Sequence, residues 1–442
     1  MAGVKISFLG GVGEIGGNKI LVDYDGERII LDFGVSYARK RMYYSEPFLS
    51  PRSEEGLLEF GLLPEIEGIY RFEEGQPTVS AVFLSHAHLD HAAYISFLKR
   101  EIPVYCGETA KLILEALNEI RGRSLEHDFS GLRFETFRTG FKVRVGCFEV
   151  EPVHVDHSIP GAYGFIVYTP DGALAYTGDF RLHGGKPELS WDFIRRAAEA
   201  EPEALIIEGT NLTEGEVYSE HRLMEDLRSL VSKVKGLVLA DFAATDIDRF
   251  RSFLMVAEES GRRLAIDFKH ARLVEILSSD RKLKLPSLSD ERLAVYRKAK
   301  RRYAPWEKTL MDKYETVSAE ELARKPGETI LALSFYSFGE LLGIRPPPGS
   351  CYILSSSGPV EEEAEVDYWR MLNWLEHYGL PKYHIHVSGH IMPLQLLEAV
   401  EHINPSRVFP IHCERPTLFQ KFLGGKFGVQ LPVFGEAYSL KS

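Results

Sequence analysis

The chain has 442 residues, 44% of them hydrophobic and 26% charged, which supplies apolar material for more than one core and excludes a largely disordered chain. Its net charge of −12 argues on average against a polyanionic partner, although a local basic surface or a bound cation is what a phosphate meets. No apolar run reaches the roughly 18 residues of a membrane span, and the N-terminal apolar stretch is too short for a signal peptide. In chain order, Lys5-Ile-Ser-Phe-Leu9 reads as a short strand and 10–18 as a Gly-rich loop. Strands at 19–24 and 28–33 then flank Asp25-Gly26, a strong hairpin signal. Gly11-x-Gly13-x-x-Gly16 has the spelling of a dinucleotide fingerprint, but a strand follows it where that motif needs a helix.

From 78 to 208 the pattern predicts strands at 78–85, 141–152, 164–168, 173–176 and 204–207, with helices near 92–100 and 109–121. This is an α/β layout with two sheets' worth of strands and helices outside them. A second α/β unit follows, from about 213 to 378. Helices are predicted there over 219–235 and 246–260, and strands at 237–241, 263–267, 329–333 and 351–355. The last stretch, 383–442, returns to strand–helix–strand with His-bearing turns. Four cysteines (Cys106, Cys147, Cys351, Cys413) form no CxxC pair and read as free thiols of a reducing, cytoplasmic compartment.

The segment His86-Ala-His88-Leu-Asp90-His91 carries the chemistry. His86 and His88 alternate along an extended segment, so both rings reach one metal; Asp90 and His91 follow as the chain turns into a helix and can aim at a second. Two metals about 3.5–4 Å apart would activate a water and clamp the oxygens of a phosphodiester. Three His and one Asp within six residues are far denser than surface histidines scattered through a chain holding 15. His157, Asp179 and His412 each follow a short apolar strand and can complete such a site, with Asp179 placed to bridge both ions.

These motifs resemble the metallo-β-lactamase superfamily and, within it, the β-CASP nucleases of the ribonuclease J type. The opening 10–18 loop with Leu31-Asp32-Phe-Gly, the His86–His91 motif, His157-Ser-Ile-Pro and Thr177-Gly-Asp179-Phe match the superfamily. Glu208, His390 in His386-Val-Ser-Gly-His390, and His412 match the β-CASP motifs. The resemblance implies an α/β fold, a metallo-β-lactamase αββα sandwich split over 1–210 and 381–442, with an α/β β-CASP domain inserted at 211–380. It also implies two Zn²⁺ (Mn²⁺ or Mg²⁺ as substitutes), one held by His86, His88, His157 and Asp179 and the other by Asp90, His91, Asp179 and His412. Asp32 would orient the cluster by hydrogen bonds. His390, paired with Glu208, would assist the leaving oxygen. Ser388, Gly389 and the run Ser355, Ser356, Ser357 are candidate contacts to substrate phosphates. His154, His384, His386 and Cys413 read as packing or hydrogen-bonding residues.

Arg281 to Tyr303 holds nine Lys/Arg against Asp290 and Glu291, a basic stretch that suits a nucleic-acid backbone. The resemblance thus points to a zinc-dependent hydrolase of RNA, 5′→3′ exonucleolytic with endonucleolytic cuts, acting on single-stranded nucleic acid without a membrane. A homodimer is compatible with the family. Single-stranded DNA is the alternative substrate, because nothing visibly reads a 2′-hydroxyl. A small-molecule metallohydrolase and a catalytically silent nucleic-acid-binding subunit are rivals from other classes. Two segments depart from ribonuclease J: 332–340 lacks the Gly-Ser-Gln-Gly-Glu-Pro-like turn, and 355–363 carries Glu361, Glu362 and Glu363 where that family has a Pro-Ile-Pro-Gly-Asn-Glu-like loop. The chain also ends soon after His412, where ribonuclease J carries a further domain.

Overall fold

The computed structural model describes residues 3–45, 48–122, 124–215, 217–356 and 362–441. It divides into two compact units, Met1–Val217 with Gly389–Ser442, and Tyr218–Ser388. The first unit holds two sheets. One runs, in spatial order, Ala437–Ser439, Lys5–Gly10, Lys19–Tyr24, Glu27–Phe33, Ala81–Phe83, Val104–Gly107, Phe134–Phe137. The other runs Val408–Ile411, Ala204–Glu208, Gly172–Tyr176, Ala162–Thr169, Phe148–Val155, Val143–Val145.

Period-two alternation sends Ile6, Phe8, Ile20, Val22, Ile29 and Leu31 to one face of the first sheet. There they meet Phe148, Phe165, Leu174, Ile206 and Phe409 of the second sheet in one buried core. The outer face of the second sheet is covered by Pro187–Glu199, Pro393–Ile403 and Pro416–Leu423, whose Phe193, Leu396 and Phe419 pack with Ala175, Leu205 and Ile207. Each of these helices starts on a proline, which lacks only an N–H that a first turn cannot use. Glu108–Arg121 packs against Val104–Gly107 and Phe134–Phe137 on the far side. The result is the αββα sandwich.

The Asp25–Gly26 hairpin forms with both residues at positive φ (51° and 87°), as a two-residue type I′ turn requires. Two expectations are corrected. The strand over 141–152 is a second hairpin, Val143–Val145 against Phe148–Val155, broken at Gly146 (φ 56°). The helix over 92–100 is a four-residue turn, Leu89–Ala92, followed by the 3₁₀ segment Ala93–Phe97. All five residues of that segment are buried, so no polar face exists to sustain an amphipathic α-helix.

The second unit is a seven-stranded sheet in which every pairing is parallel: Thr316–Val317, Leu293–Tyr296, Arg263–Asp267, Thr329–Ala332, Val238–Asp241, Cys351–Leu354, Lys382–His384. Cores lie on both faces, one around Phe250, Phe253 and Val274 and the other around Phe338, Leu341 and Leu375. Lys382–His384 pairs with Cys351–Leu354 and so belongs to this unit, which runs to Ser388. Part of the basic stretch is internally neutralised: Arg292 pairs with Asp290 and Glu258, Lys298 with Asp267, and Lys300 with Glu307. Arg281, Lys282, Lys284, Arg297, Arg301 and Arg302 are exposed.

Asp267 caps helix Phe268–Leu277, accepting from His270 N at 3.1 Å, His270 Nδ1 at 2.8 Å and Lys298 Nζ at 2.7 Å. Burial alone would raise its carboxyl, but His270 and Lys298 outweigh that and hold it well below the usual range. A carboxyl depressed on folding stabilises the fold above its unfolded value of about 4, and the contribution is lost as pH falls toward the folded value. Asp267→Asn is expected to cost about 2 kcal/mol at neutral pH, since it leaves the partly buried Lys298 ammonium without its carboxylate. Its urea midpoint should also fall less steeply on acidification than that of the wild type; parallel pH dependences would refute this.

Candidate metal centre

The site forms where strands from both sheets of the first unit end on one rim. Glu27–Phe33 runs parallel to Ala81–Phe83, and Gly172–Tyr176 runs parallel to Ala204–Glu208, itself parallel to Val408–Ile411. Asp32 lies near the end of the first of these, and Ser85 to His91 follow the second. Asp179, Glu208 and His412 come at or just beyond the ends of the other three, and His157 follows Phe148–Val155. Parallel strands deliver their carboxyl ends to the same side, so residues more than 300 positions apart meet.

Asp179 Oδ2 is the hub. It lies 3.0 Å from His91 Nε2, 3.5 Å from His412 Nε2, 3.7 Å from His86 Nε2 and 4.0 Å from His157 Nε2. His88 Nδ1 is 3.0 Å from His86 Nε2 and 3.2 Å from His157 Nε2, and Asp90 Oδ2 is 3.3 Å from His412 Nε2. Two ligand groups result, His86/His88/His157/Asp179 and Asp90/His91/His412, with Asp179 reaching both. Asp179 Oδ1 and His91 Nε2 are buried with no hydrogen-bond partner. Lone-pair atoms converging on one another in a buried space, with orphans among them, fit divalent cations, and imidazole with carboxylate is the donor set that zinc and its neighbours take.

The outward nitrogens fix which edge each ring presents. His91 Nδ1 faces Asp32 Oδ2 at 2.7 Å, His157 Nδ1 donates to the Gly389 carbonyl at 2.6 Å, His86 Nδ1 meets Ser85 Oγ at 3.0 Å, and His412 Nδ1 meets Thr210 Oγ1 at 2.9 Å. Each bond commits a proton to the far side and leaves the inner nitrogen to a cation. Asp32 is fully buried and also accepts from Ser85 N (2.6 Å), Ser85 Oγ (2.7 Å) and Tyr176 OH (2.6 Å), the last in turn accepting from Asn18 Nδ2.

Electrostatics agree with that geometry. Burial opposes charge on both partners, yet His412, His91 and His390 hold Asp179 well below the carboxylate range. Asp179, Asp32 and Asp90 lift His91 well above the ordinary imidazole value against the same burial. Burial, with the neighbouring rings, pushes His86 and His157 well down. The buried carboxylates thus draw a proton onto His91, while His86 and His157 keep lone pairs free for a cation.

Glu208 is fully buried and held on both oxygens: Oε1 accepts from Phe180 N at 3.0 Å, and Oε2 from Thr210 Oγ1 at 2.6 Å and His390 Nδ1 at 3.0 Å. Those donors leave it a poor metal ligand although it lies within reach of Asp179. The His390 ring centroid lies 5.1 Å from that of His157 and 5.2 Å from that of His412, and its side chain is 21% exposed at the edge of the cluster. Burial works against its charged form, but Glu208 and Asp179 outweigh it and raise the ring to about 9.

The phosphate-contact candidates separate. Gly389 is a backbone acceptor for His157, and a Cβ there would lie 2.7 Å from Ser158 Oγ and 2.8 Å from the His157 ring. The Ser355 hydroxyl donates to the Ile385 carbonyl at 2.6 Å inside the second unit. The Ser356 carbonyl accepts from His384 Nε2. Ser357 and Glu361, with the side chains of Glu362 and Glu363, lie outside the described residues. His154 stacks on Tyr163, as a packing residue does.

The sequence reading missed the work of the Gly-rich loop. Gly17 N and Asn18 N donate to the Asp90 carbonyl, and the Gly11 carbonyl accepts from His412 N at 2.9 Å. A Cβ at Gly16 would lie 2.6 Å from the Asp90 carboxylate, and one at Gly34 would lie 1.7 Å from the Asp90 carbonyl oxygen. The loop is therefore a backbone mould around two candidate ligands, and its glycine spelling was the available signal.

A strand-end rim with two ligand groups sharing one carboxylate, on an αββα sandwich, defines a metallo-β-lactamase-type, metal-dependent hydrolase. Residues 12–235 match the metallo-beta-lactamase superfamily, and the chain belongs to it. It is similar to ribonuclease J of Mycoplasma pneumoniae, 26% identical over 424 residues covering 93% of this chain and 68% of the relative. Ribonuclease J of Mycobacterium tuberculosis is 28% identical over 428 residues (93% and 69%), and that of Thermus thermophilus 28% over 437 residues (93% and 68%). Among solved structures, the crystal structure of a protein of unknown function from Enterococcus faecalis V583 superposes with a TM-score of 0.78 at 25% identity, covering 99% of this chain and all of that one.

Asp32→Asn keeps the shape but removes the charge facing His91. It is expected to weaken metal binding about 10–100-fold in chelator competition; unchanged affinity would show that Asp32 does not support the ligand. Gly34→Ala, with no room beside the Asp90 carbonyl, should lower both metal content and thermal midpoint. Gly13→Ala is its control, since a Cβ at Gly13 meets nothing within 4 Å and only its positive φ is strained.

Proposed function

We propose that this protein is a zinc-dependent ribonuclease of the β-CASP type, hydrolysing phosphodiester bonds of single-stranded RNA, 5′→3′ exonucleolytic with endonucleolytic cuts, in cytoplasmic RNA processing or decay. The observation that carries this reading is His390, bound to the buried Glu208, at the open edge of two ligand groups that share Asp179. A small-molecule hydrolase needs the metals but gains little from a carboxylate-oriented histidine beside them. The unit Tyr218–Ser388 is proposed as the β-CASP domain, with its exposed Arg281, Lys282, Lys284, Arg297, Arg301 and Arg302 meeting the nucleic-acid backbone and Ser388 serving substrate phosphates. Similarity to ribonuclease J over nine-tenths of the chain supports RNA as the substrate. Among the described residues no helix is long and apolar enough to cross a membrane, and the four cysteines are free, which agrees with a reducing compartment.

His86, His88, His157 and Asp179 would hold one ion, and Asp90, His91, Asp179 and His412 the other. Bound there, such cations polarise phosphoryl oxygens and acidify water. The protein's own groups do the rest. Glu208 accepts the Nδ1 proton of His390, which turns the Nε2 edge toward the leaving oxygen. Asp32, Gly389 and the Gly-rich loop keep the ligands from turning. Asp90 and His88 are partly exposed where His86, His91, His157, Asp179 and His412 are buried, and mark the side from which substrate arrives.

The test is a time course on 5′-monophosphorylated, 3′-labelled single-stranded RNA and the matching DNA, with Zn²⁺ or Mn²⁺. Release of mononucleotides from RNA, lost at least about 10²-fold in Asp90→Ala and abolished by chelator, is expected. DNA cut as fast as RNA would make the protein a general single-strand nuclease. Turnover of a generic ester with neither nucleic acid cut would overturn the nuclease reading.

A further inference from the structure

Glu208 ends its strand, and the chain turns at once through Gly209, where a Cβ would lie 2.8 Å from the Phe419 ring and 3.0 Å from Cys413 Sγ. That tight turn brings Thr210 back over its own strand end. Thr210 Oγ1 lies 2.6 Å from Glu208 Oε2, 2.9 Å from His412 Nδ1 and 3.2 Å from His390 Nδ1. The next residue, Asn211, donates from Nδ2 to the His390 carbonyl at 2.9 Å.

The distances favour one set of proton directions. His412 Nε2 points at the carboxylates of Asp90 (3.3 Å) and Asp179 (3.5 Å), the edge a cation would use. A neutral imidazole carries one proton, so Nδ1 carries it and donates to Thr210 Oγ1. The hydroxyl has one proton of its own, and of the acceptors in reach Glu208 Oε2 at 2.6 Å is nearer than the His412 carbonyl at 3.3 Å. That same oxygen accepts from His390 Nδ1. Neither Glu208 oxygen touches His412 directly, so the threonine hydroxyl is the link between them.

We propose that Thr210 is a positioning residue that relays the Glu208 carboxylate to the metal ligand His412, so that one buried carboxylate fixes both the tautomer of His412 and the orientation of His390. Thr210→Val breaks the relay at nearly constant shape; Thr210→Ser keeps it. The inference rests on the two-ion reading of the centre but not on the substrate, so its test reads metal affinity.

Wild type, Thr210→Val and Thr210→Ser are loaded with zinc, titrated with a chelator, and counted for zinc per chain by mass spectrometry. Thr210→Val is expected to release one ion about 10–100-fold more readily than wild type, the other release being unchanged, with Thr210→Ser within about 3-fold of wild type in both. Two unchanged releases in Thr210→Val would overturn the proposal. So would Thr210→Ser behaving like Thr210→Val, which would make the methyl the important group. A wild type that binds fewer than two ions would overturn the two-ion reading, and this inference with it. Metal-free thermal midpoints of the three proteins separate loss of the relay from loss of the fold.

Discussion

The first unit is organised around a concentration of buried carboxylate. Asp32, Asp179 and Glu208 have almost no solvent contact, and Asp90 stands beside them. Carboxylates in such a space are costly unless cations or dense hydrogen bonding offset them. Asp32 and Glu208 are satisfied by protein donors, four of them on Asp32. Asp179 keeps an oxygen without a donor, and the imidazoles around it turn lone pairs inward. Two of the carboxylates therefore build the frame, and the other two stand among the imidazoles where a cation could be held.

That division requires unusual backbone. Asp32 and His412 both sit in the left-handed region, at φ 57° and 51°, where non-glycine residues carry strain. Asp32 is held there by donors from Ser85, Tyr176 and His91, and His412 by its amide on the Gly11 carbonyl. The glycines of 10–18 and Gly34 let main chain approach Asp90 closely enough to fix it through its carbonyl. Side-chain chemistry at the centre is thus positioned largely by backbone contacts from elements that contribute no ligand.

Local signals made much of this legible. The His86–His91 spacing identified a metal motif because an extended segment turning into a helix projects its side chains predictably. Asp179 and His412 could be nominated because short apolar strands end immediately before them. The 3₁₀ turn at 93–97 was not legible: a fully buried segment loses the polar alternation that distinguishes helix from strand. The short strand Lys382–His384 joins the second sheet by pairing with Cys351–Leu354, a partner that three residues of local pattern do not reveal. Ser355 was nominated on its hydroxyl, and the hydroxyl is bound to Ile385, a partner thirty residues away that local pattern cannot reveal.

The donor inventory, the alternation that builds two sheets around one core, and the glycine and proline positions that turn the chain are all readable locally, because each depends on residue type and short spacing. Tertiary structure alone decided which donors face a cation and which face each other. Glu208 and Asp179 are both carboxylates at strand ends, yet one is saturated by Phe180 N, Thr210 and His390 while the other is left open. Thr210, an unremarked residue in a turn, acquires its place only because parallel pairing sets the ends of Ala204–Glu208 and Val408–Ile411 side by side and brings His412 within 2.9 Å of its hydroxyl. Long-range strand register is fixed by the packing of the whole sandwich, and no local stretch of sequence carries it.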